Sequence, residues 1–226
     1  ADPQADSCVA CHLTLEDLGE ELVTPAREIE NDIHFKRGIS CAGCHGGDPA
    51  DPEETAMDPA KGYVGVPARS AVPDFCARCH GDPGYMRAFN PNLPTDQLLK
   101  YHVSQHGKLL VQGDQKVAVC TSCHGAHGIL SKTDSNSPVF RTNAPATCAK
   151  CHANPIYMQG YGIPTTQFDE YQSSVHGEAL LGRKDRAAPA CHNCHGSHDA
   201  ARPGTMMIAN VCAQCHSQSR DLFLKS

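Results

Sequence analysis

Apolar positions along this chain fall in short, broken runs. The longest span only a few residues, such as Leu109 to Val111, so no segment reads as a membrane-spanning helix. No stretch alternates apolar and polar residues for long enough to make a half-buried strand. Helix punctuation is present instead. Thr24 as N-cap, Pro25 at the first helical position and Gly38 as a stop predict a helix across TPAREIENDIHFKRG, residues 24–38. Thr95 or Asp96, and Thr165 or Thr166, can cap two further helices that end at Gly107 and Gly177. Leu98, His102 and His106 then fall at i, i+4 and i+8, on one helical face. The segments between are loop-like: 46–59 (GGDPADPEETAMDP) is rich in acids, Gly and Pro, and 131–145 is similarly polar. The acids at 48–54 lack the spacing of an EF-hand. The expected fold is mostly irregular, with short α-helices and little or no β-structure.

Composition deepens the puzzle of what such a chain packs around. The 226 residues include no Trp, and aromatic residues make up only 5%, so side chains alone would build a thin core. Against that stand 14 Cys and 14 His, both far above ordinary usage. A net charge of −6 does not suit a nucleic-acid binder, which would carry a basic patch. Something other than hydrocarbon side chain must fill the interior.

The cysteines identify it. Every one belongs to a Cys-x-x-Cys pair followed directly by His: Cys8 and Cys11, Cys41 and Cys44, Cys76 and Cys79, Cys120 and Cys123, Cys148 and Cys151, Cys191 and Cys194, Cys212 and Cys215. This is the attachment signature of c-type haem. Cysteines at i and i+3 share one face of a helical turn and reach the two vinyl groups of one porphyrin. The His at i+4 then meets the iron from the same side. Zinc ribbons use such pairs two at a time, and seven pairs cannot be divided that way. Thioredoxin-like motifs come singly beside a βαβ pattern, and disulfide scaffolds have no use for the His. Seven c-type haems are therefore expected.

Seven histidines serve as proximal ligands: His12, His45, His80, His124, His152, His195 and His216. Seven remain: His34, His102, His106, His127, His176, His192 and His198. If each supplies a sixth ligand, every iron is bis-His, an arrangement suited to electron transfer rather than to binding a substrate. His106 and His176 occupy one repeat position, and His127 and His198 another; His34 ends its own predicted helix. His102 and His192 have no counterpart, since Gln172 and Thr121 stand there. Either could be a bystander, leaving one haem to take Met, stay five-coordinate or borrow a ligand. Met57, Met86, Met158, Met206 and Met207 are available, although Met more often packs.

Self-comparison reveals a period near 70 residues. CARCHGDPGYM (76–86) matches CAKCHANPIYM (148–158), LPTDQLLKYHVSQHG (93–107) matches IPTTQFDEYQSSVHG (163–177), and CTSCHGAHG (120–128) matches CHNCHGSHD (191–199). The unit is a first haem motif, a helix ending in His-Gly, and a second motif with an extra His. Residues 1–75 form an eroded copy in which Asp48 stands where the others have His127 and His198. Copies at 76–147 and 148–211 follow, then a truncated one-haem copy at 212–226, together a single heptahaem unit.

About 32 residues per haem is too little protein to insulate neighbouring porphyrins, so closely packed haems in a chain are expected. Their apolar faces supply the burial that side chains do not. Seven ferric bis-His haems, each near −1, take the holoprotein to about −13.

On these motifs, with the SxHG turns at 104–107 and 174–177 and CHGxH at 123–127 and 194–198, the chain resembles multihaem c-type cytochromes of dissimilatory and extracellular electron transfer. The resemblance implies an irregular fold around stacked haems and an electron-transfer protein, not an enzyme. It implies export to the periplasm or cell surface, with redox proteins or extracellular acceptors as partners. Ala1-Asp2-Pro3, without Met or an apolar leader, reads as a mature chain after signal cleavage, and DLFLKS carries no anchor. Some such cytochromes polymerise into filaments. A head-to-tail contact joining the motif at Cys212 to that at Cys8 would build such a homopolymer. The alternative is a multihaem nitrite or hydroxylamine reductase with one open haem, often marked by CxxCK. No such motif occurs, since Lys150 lies inside CAKCH.

If porphyrin is the core, the chain cannot fold without it. A variant with all 14 Cys changed to Ser is expected to show no cooperative thermal transition by circular dichroism. A cooperative transition in that variant would sink the claim.

Overall fold

Short apolar runs produce short helices. The computed structural model describes residues 6–15, 19–204, 207–223 and 225. Among these residues no β-strand occurs, and the longest α-helices, Glu20–Glu28, Val72–His80 and Ala144–His152, have nine residues each. The expectation of short helices without sheet is borne out. The expected processed terminus at Ala1-Asp2-Pro3, and Met206, lie outside the described residues.

The helix expected over 24–38 is different in form. It begins at Glu20, where Glu20 and Glu21 place carboxylates against the positive end of the helix dipole. The Thr24 hydroxyl donates to Glu20 (3.1 Å) instead of capping, and Pro25 lies inside the helix. After Glu28 come a 3₁₀ turn, Ile29–Asn31, an extended Asp32, and a second 3₁₀ turn, Phe35–Arg37. Gly38, at φ 85°, does close that turn, which needs the left-handed conformation that glycine adopts freely. His34 thus enters a tight turn and does not end a helix.

The helices expected to run to Gly107 and Gly177 are each broken by a serine. Asp96 heads Gln97–Val103 and Thr166 heads Gln167–Gln172, as their sequences suggest. Ser104 and Ser174 then turn extended and cap a second helix, Gln105–Val111 and Val175–Gly177. The Ser104 hydroxyl donates to the Tyr101 carbonyl (2.6 Å) and accepts from the Gly107 amide (2.9 Å). Ser174 repeats this with Tyr171 (2.7 Å) and Gly177 (3.1 Å). A short hydroxyl that satisfies backbone groups locally competes with the helical ladder, and here it wins. Leu98, His102 and His106 therefore do not share one helical face: His102 belongs to the first helix and His106 to the second.

Buried side chains form three small clusters. Val9, Ala26, Ile29 and Phe35 pack with Cys41, and Val72, Tyr101, Leu110, Val117 and Val119 pack with Cys76 and Cys120. Ala179, Leu180, Ala188 and Ala190 pack with Tyr171. Ordering a residue costs about 1–2 kcal/mol of backbone entropy, which clusters of this size cannot offset for a chain this long. Polar braces recur around the second and third clusters. The Tyr101 hydroxyl donates to Ala118 O (2.9 Å) and the Tyr171 hydroxyl to Pro189 O (2.8 Å). Arg69 reaches Val117 O (2.8 Å) and Arg141 reaches Ala188 O (2.9 Å). Each arginine stands seven residues before a first-motif cysteine and grips the segment leading into a second motif. In the acidic loop, Lys61 lies 2.5 Å from the Asp51 carboxylate, which also accepts from Thr55 (2.6 Å).

The serine break makes two positions sensitive. Ser104→Ala is expected to cost about 1 kcal/mol, a fall in Tm of about 2–4 °C. Gly107→Ala should cost more, because its Cβ would lie 2.0 Å from the Tyr101 carbonyl oxygen, backbone that cannot swing aside. Thermal melts followed by circular dichroism check both, and an unchanged Tm for Gly107→Ala would contradict this close approach of Gly107 to the Tyr101 carbonyl.

Candidate functional site

The motifs are held in two local forms. The first motifs at Cys76 and Cys148 end nine-residue helices that begin Val72-Pro73 and Ala144-Pro145, with Pro in the first turn, where its missing amide costs nothing. The second motifs form bare five-residue helices, Cys41–His45, Cys120–His124 and Cys191–His195. Each stops at a glycine, Gly46, Gly125 or Gly196, at φ 71°, 81° and 79°. Cys8, Cys11 and His12 lie in the helix Ser7–Thr14. At the last motif Cys212 lies in the helix Ile208–Ala213, and Cys215 and His216 follow in a turn.

Five motif histidines face a second imidazole brought from far along the chain. His34 meets His80, with ring centroids 5.8 Å apart and Nε2 atoms 3.5 Å apart. His45 meets His127, His152 meets His106, His124 meets His198 and His216 meets His176, each at 6.1 Å. The angles between ring planes meanwhile range from 8° to 81°. What sets these pairs apart is that each joins a motif histidine to a histidine outside the motifs. Two metal–nitrogen bonds of about 2.0 Å and the ring radii together would give centroids about 6 Å apart, so these separations are compatible with one metal bound end-on between each pair. The residues present fit haem, with two cysteines and one histidine on one side and a second histidine opposite.

Hydrogen bonds set which nitrogen is free. The Nδ1 atoms of His12, His45 and His195 stand 3.1, 2.8 and 3.2 Å from the carbonyls of Leu22, Gly65 and Ala201. A carbonyl only accepts, so Nδ1 carries the proton and Nε2 keeps its lone pair for a metal. Burial lowers the pKa of His80, His106, His124, His127, His152 and His198, because it penalises the charged imidazolium.

Sequence reasoning missed Asp32. It is buried, and its carboxylate accepts from the His34 amide (2.8 Å), His34 Nδ1 (2.9 Å) and the Ile129 amide (2.8 Å). Burial raises its pKa, but these bonds, led by that from the His34 ring, bring the net shift downward. One carboxylate thereby orients His34 and pins the loop that carries His127. The signal was present: Asp32, Ser104 and Ser174 each stand two residues before a histidine of the His34, His106 and His176 set.

The motifs neighbour one another in chain order. The Cys76 thiol is pushed up by its hydrogen bond to Cys120, and that of Cys148 by its bond to Cys191. Burial, then Asp6 and then nearby Cys41 push Cys8 up to about 12. Burial also raises Cys44, Cys123 and Cys194, with Cys79, Cys151 and Cys212 close enough to add to it.

Of the remaining histidines, His192 and His195 line one cavity, but among the described residues none forms a facing pair. Among the described residues no second imidazole is paired with His12 or His195. His102 is exposed and lies edge-on to Tyr101, and His192 is half-buried with no ring opposite. His195 borders an open cavity of about 440 Å³ that Cys194, Arg202 and Met207 also line. Met86 and Met158 are buried, while Met57 and Met207 are exposed.

Comparison with known proteins agrees with this chemistry. A relative, the multiheme cytochrome MtrA of Shewanella baltica (strain OS185), is 25% identical over 204 residues, 84% of this chain and 56% of its own length. An uncharacterized protein of Archaeoglobus fulgidus is 35% identical over 54 residues, 20% of this chain and 18% of its own. The chain thus spans little more than half of the first relative and under a fifth of the second. No solved structure is significantly similar. A family model described as cytochrome c3 matches residues 33–155, more than half of the chain. With its Cys-x-x-Cys-His motifs and facing imidazoles, the chain is a multihaem c-type cytochrome, an electron-transfer protein that belongs to the cytochrome c3 family.

Proposed function

We propose that the chain carries seven c-type haems in four consecutive copies of a two-haem unit, the last truncated, and serves as an electron conduit. The observation that carries this reading is the set of five imidazole pairs at one separation. On this reading His34 serves the motif of His80, His127 that of His45, His198 that of His124, His106 that of His152 and His176 that of His216. Haem iron between two imidazoles exchanges one electron while keeping both ligands. The protein's part is to hold those ligands still. The carbonyl partners of Nδ1 fix the tautomers of His12, His45 and His195, the Asp32 carboxylate raises the basicity of His34, and the close approach of successive motif cysteines keeps neighbouring groups in line.

The proposed setting is the periplasm or the outside of the cell, as for the multihaem cytochromes the chain resembles, with redox proteins or extracellular acceptors as partners. Among the described residues no helix is long and apolar enough to cross a membrane. A head-to-tail homopolymer draws support from the exposure of Cys212, Cys215 and His216 at the last motif.

Spectroscopy of single variants tests the assignments. His198→Ala should convert one iron of seven, that of the His124 motif, from low to high spin, and His127→Ala should do the same for the His45 motif. Asp32→Asn should leave the number of low-spin irons unchanged yet raise the reduction potential of the His80 motif, since an anion no longer supports its ligand. Electron paramagnetic resonance and redox titration read these outcomes. A His198→Ala protein with its spin count unchanged would refute the pairing.

A further inference from the structure

The imidazole pairs follow one rule of exchange between consecutive copies. His34, His106 and His176 each face the first motif of the next copy, at His80, His152 and His216. His127 and His198 each face the second motif of the preceding copy, at His45 and His124. A backbone bond locks each completed exchange. The amide just before the forward-facing histidine donates to the carbonyl two residues beyond the backward-facing one: Ile33 to Ile129 at 2.7 Å, and Gln105 to Ala200 at 2.9 Å.

The third copy holds only half of this arrangement. His195 is a second-motif histidine without a facing ring, exposed beside the 440 Å³ cavity. Val175 stands where Ile33 and Gln105 stand, directly before His176. It is 75% exposed, and among the described residues its amide makes no such bond. Two separate features, a ring nitrogen and an amide, are therefore left open where the same segment would satisfy both.

We propose that the His195 motif and the Val175 amide form a receptor for a CHGxH segment of one more two-haem copy. Its last histidine faces His195, and the carbonyl two residues on accepts from Val175. The inference rests on the haem reading proposed above. The first copy offers no matching receptor or donor. Asp48 replaces the backward-facing histidine there, so that copy has no ring to offer.

The test counts irons that take carbon monoxide in the reduced holoprotein. Iron content comes first: a number other than seven refutes the haem reading itself. With seven irons, the dilute 226-residue chain should bind two equivalents, at the His12 and His195 motifs. Fewer than two means that a ligand is already present, and overturns the proposal. The full chain is then extended beyond Ser226 by residues 163–204 of its own sequence, with the copied Cys191 and Cys194 changed to Ser so that no new haem is added. The count should fall to one, and His198→Ala in the added copy should restore two; a count that stays at two overturns the proposal. Val175→Pro, tolerated at a first helical position, should raise the carbon monoxide binding rate of the extended chain several-fold. If concentrating the unextended chain protects the site, and H102A/H192A abolishes that protection, a spare histidine of a second copy is the occupant. That outcome also overturns the proposal.

Discussion

A haem iron with two protein ligands needs one from each face, and a Cys-x-x-Cys-His motif supplies only the near one. Every other feature of this molecule answers to that constraint. The second imidazole must come from elsewhere in the chain, and the separations of 5.8 to 6.1 Å leave it little latitude. His34 lies 46 residues from His80, and His198 lies 74 from His124. Such contacts close long loops, whose entropic cost grows only slowly with length. The thioether links proposed at the cysteines would restrict the unfolded chain further, much as disulfides do. The three small apolar clusters are then not failed cores. They are spacers that set the angle of each motif helix against the segment bearing its partner.

The serine breaks show how local chemistry serves this need. An unbroken helix through His102 and His106 would send both rings to one side. The Ser104 hydroxyl ends the first helix and starts another, which re-aims His106 toward His152. Ser174 does the same for His176, and Asp32 uses a carboxylate in the same place for His34. The residue two before the histidine acts as a hinge pin in all three. Gly107 and Gly177 lie at the crossing because a Cβ would strike a carbonyl there.

Much of the chemistry was legible in the sequence, because covalent attachment leaves a rigid spacing that no turn or loop can disguise. The absence of strands among the described residues followed from the lack of period-two alternation, and the helix starts after Asp96 and Thr166 from ordinary propensity. Helix limits were less legible. Thr24-Pro25 reads as a start, yet the two glutamates ahead of it satisfy the dipole better, and the nine-residue helix accommodates Pro25. Ser104 reads as a neutral helical residue until its hydroxyl has a specific carbonyl to bond. The pairing of imidazoles was invisible within any one copy, because partners always lie in different copies. Asp32 escaped notice for the same reason, since Ile129, one of its partners, is 97 residues away.

Exchange between copies also bears on conduction. His127 belongs to the motif at Cys120 and faces the motif at Cys41, passing over the one at Cys76. His198 belongs to the motif at Cys191 and faces that at Cys120, passing over the one at Cys148. Each pair thus splints two motifs across the one between them, while Cys76 with Cys120 and Cys148 with Cys191 lie close enough to shift each other's pKa. A junction spanned by such a splint cannot open without breaking an imidazole pair. On the proposed ligation, spacing between neighbours is fixed by coordination geometry and not by side-chain packing, which this sequence could not have supplied.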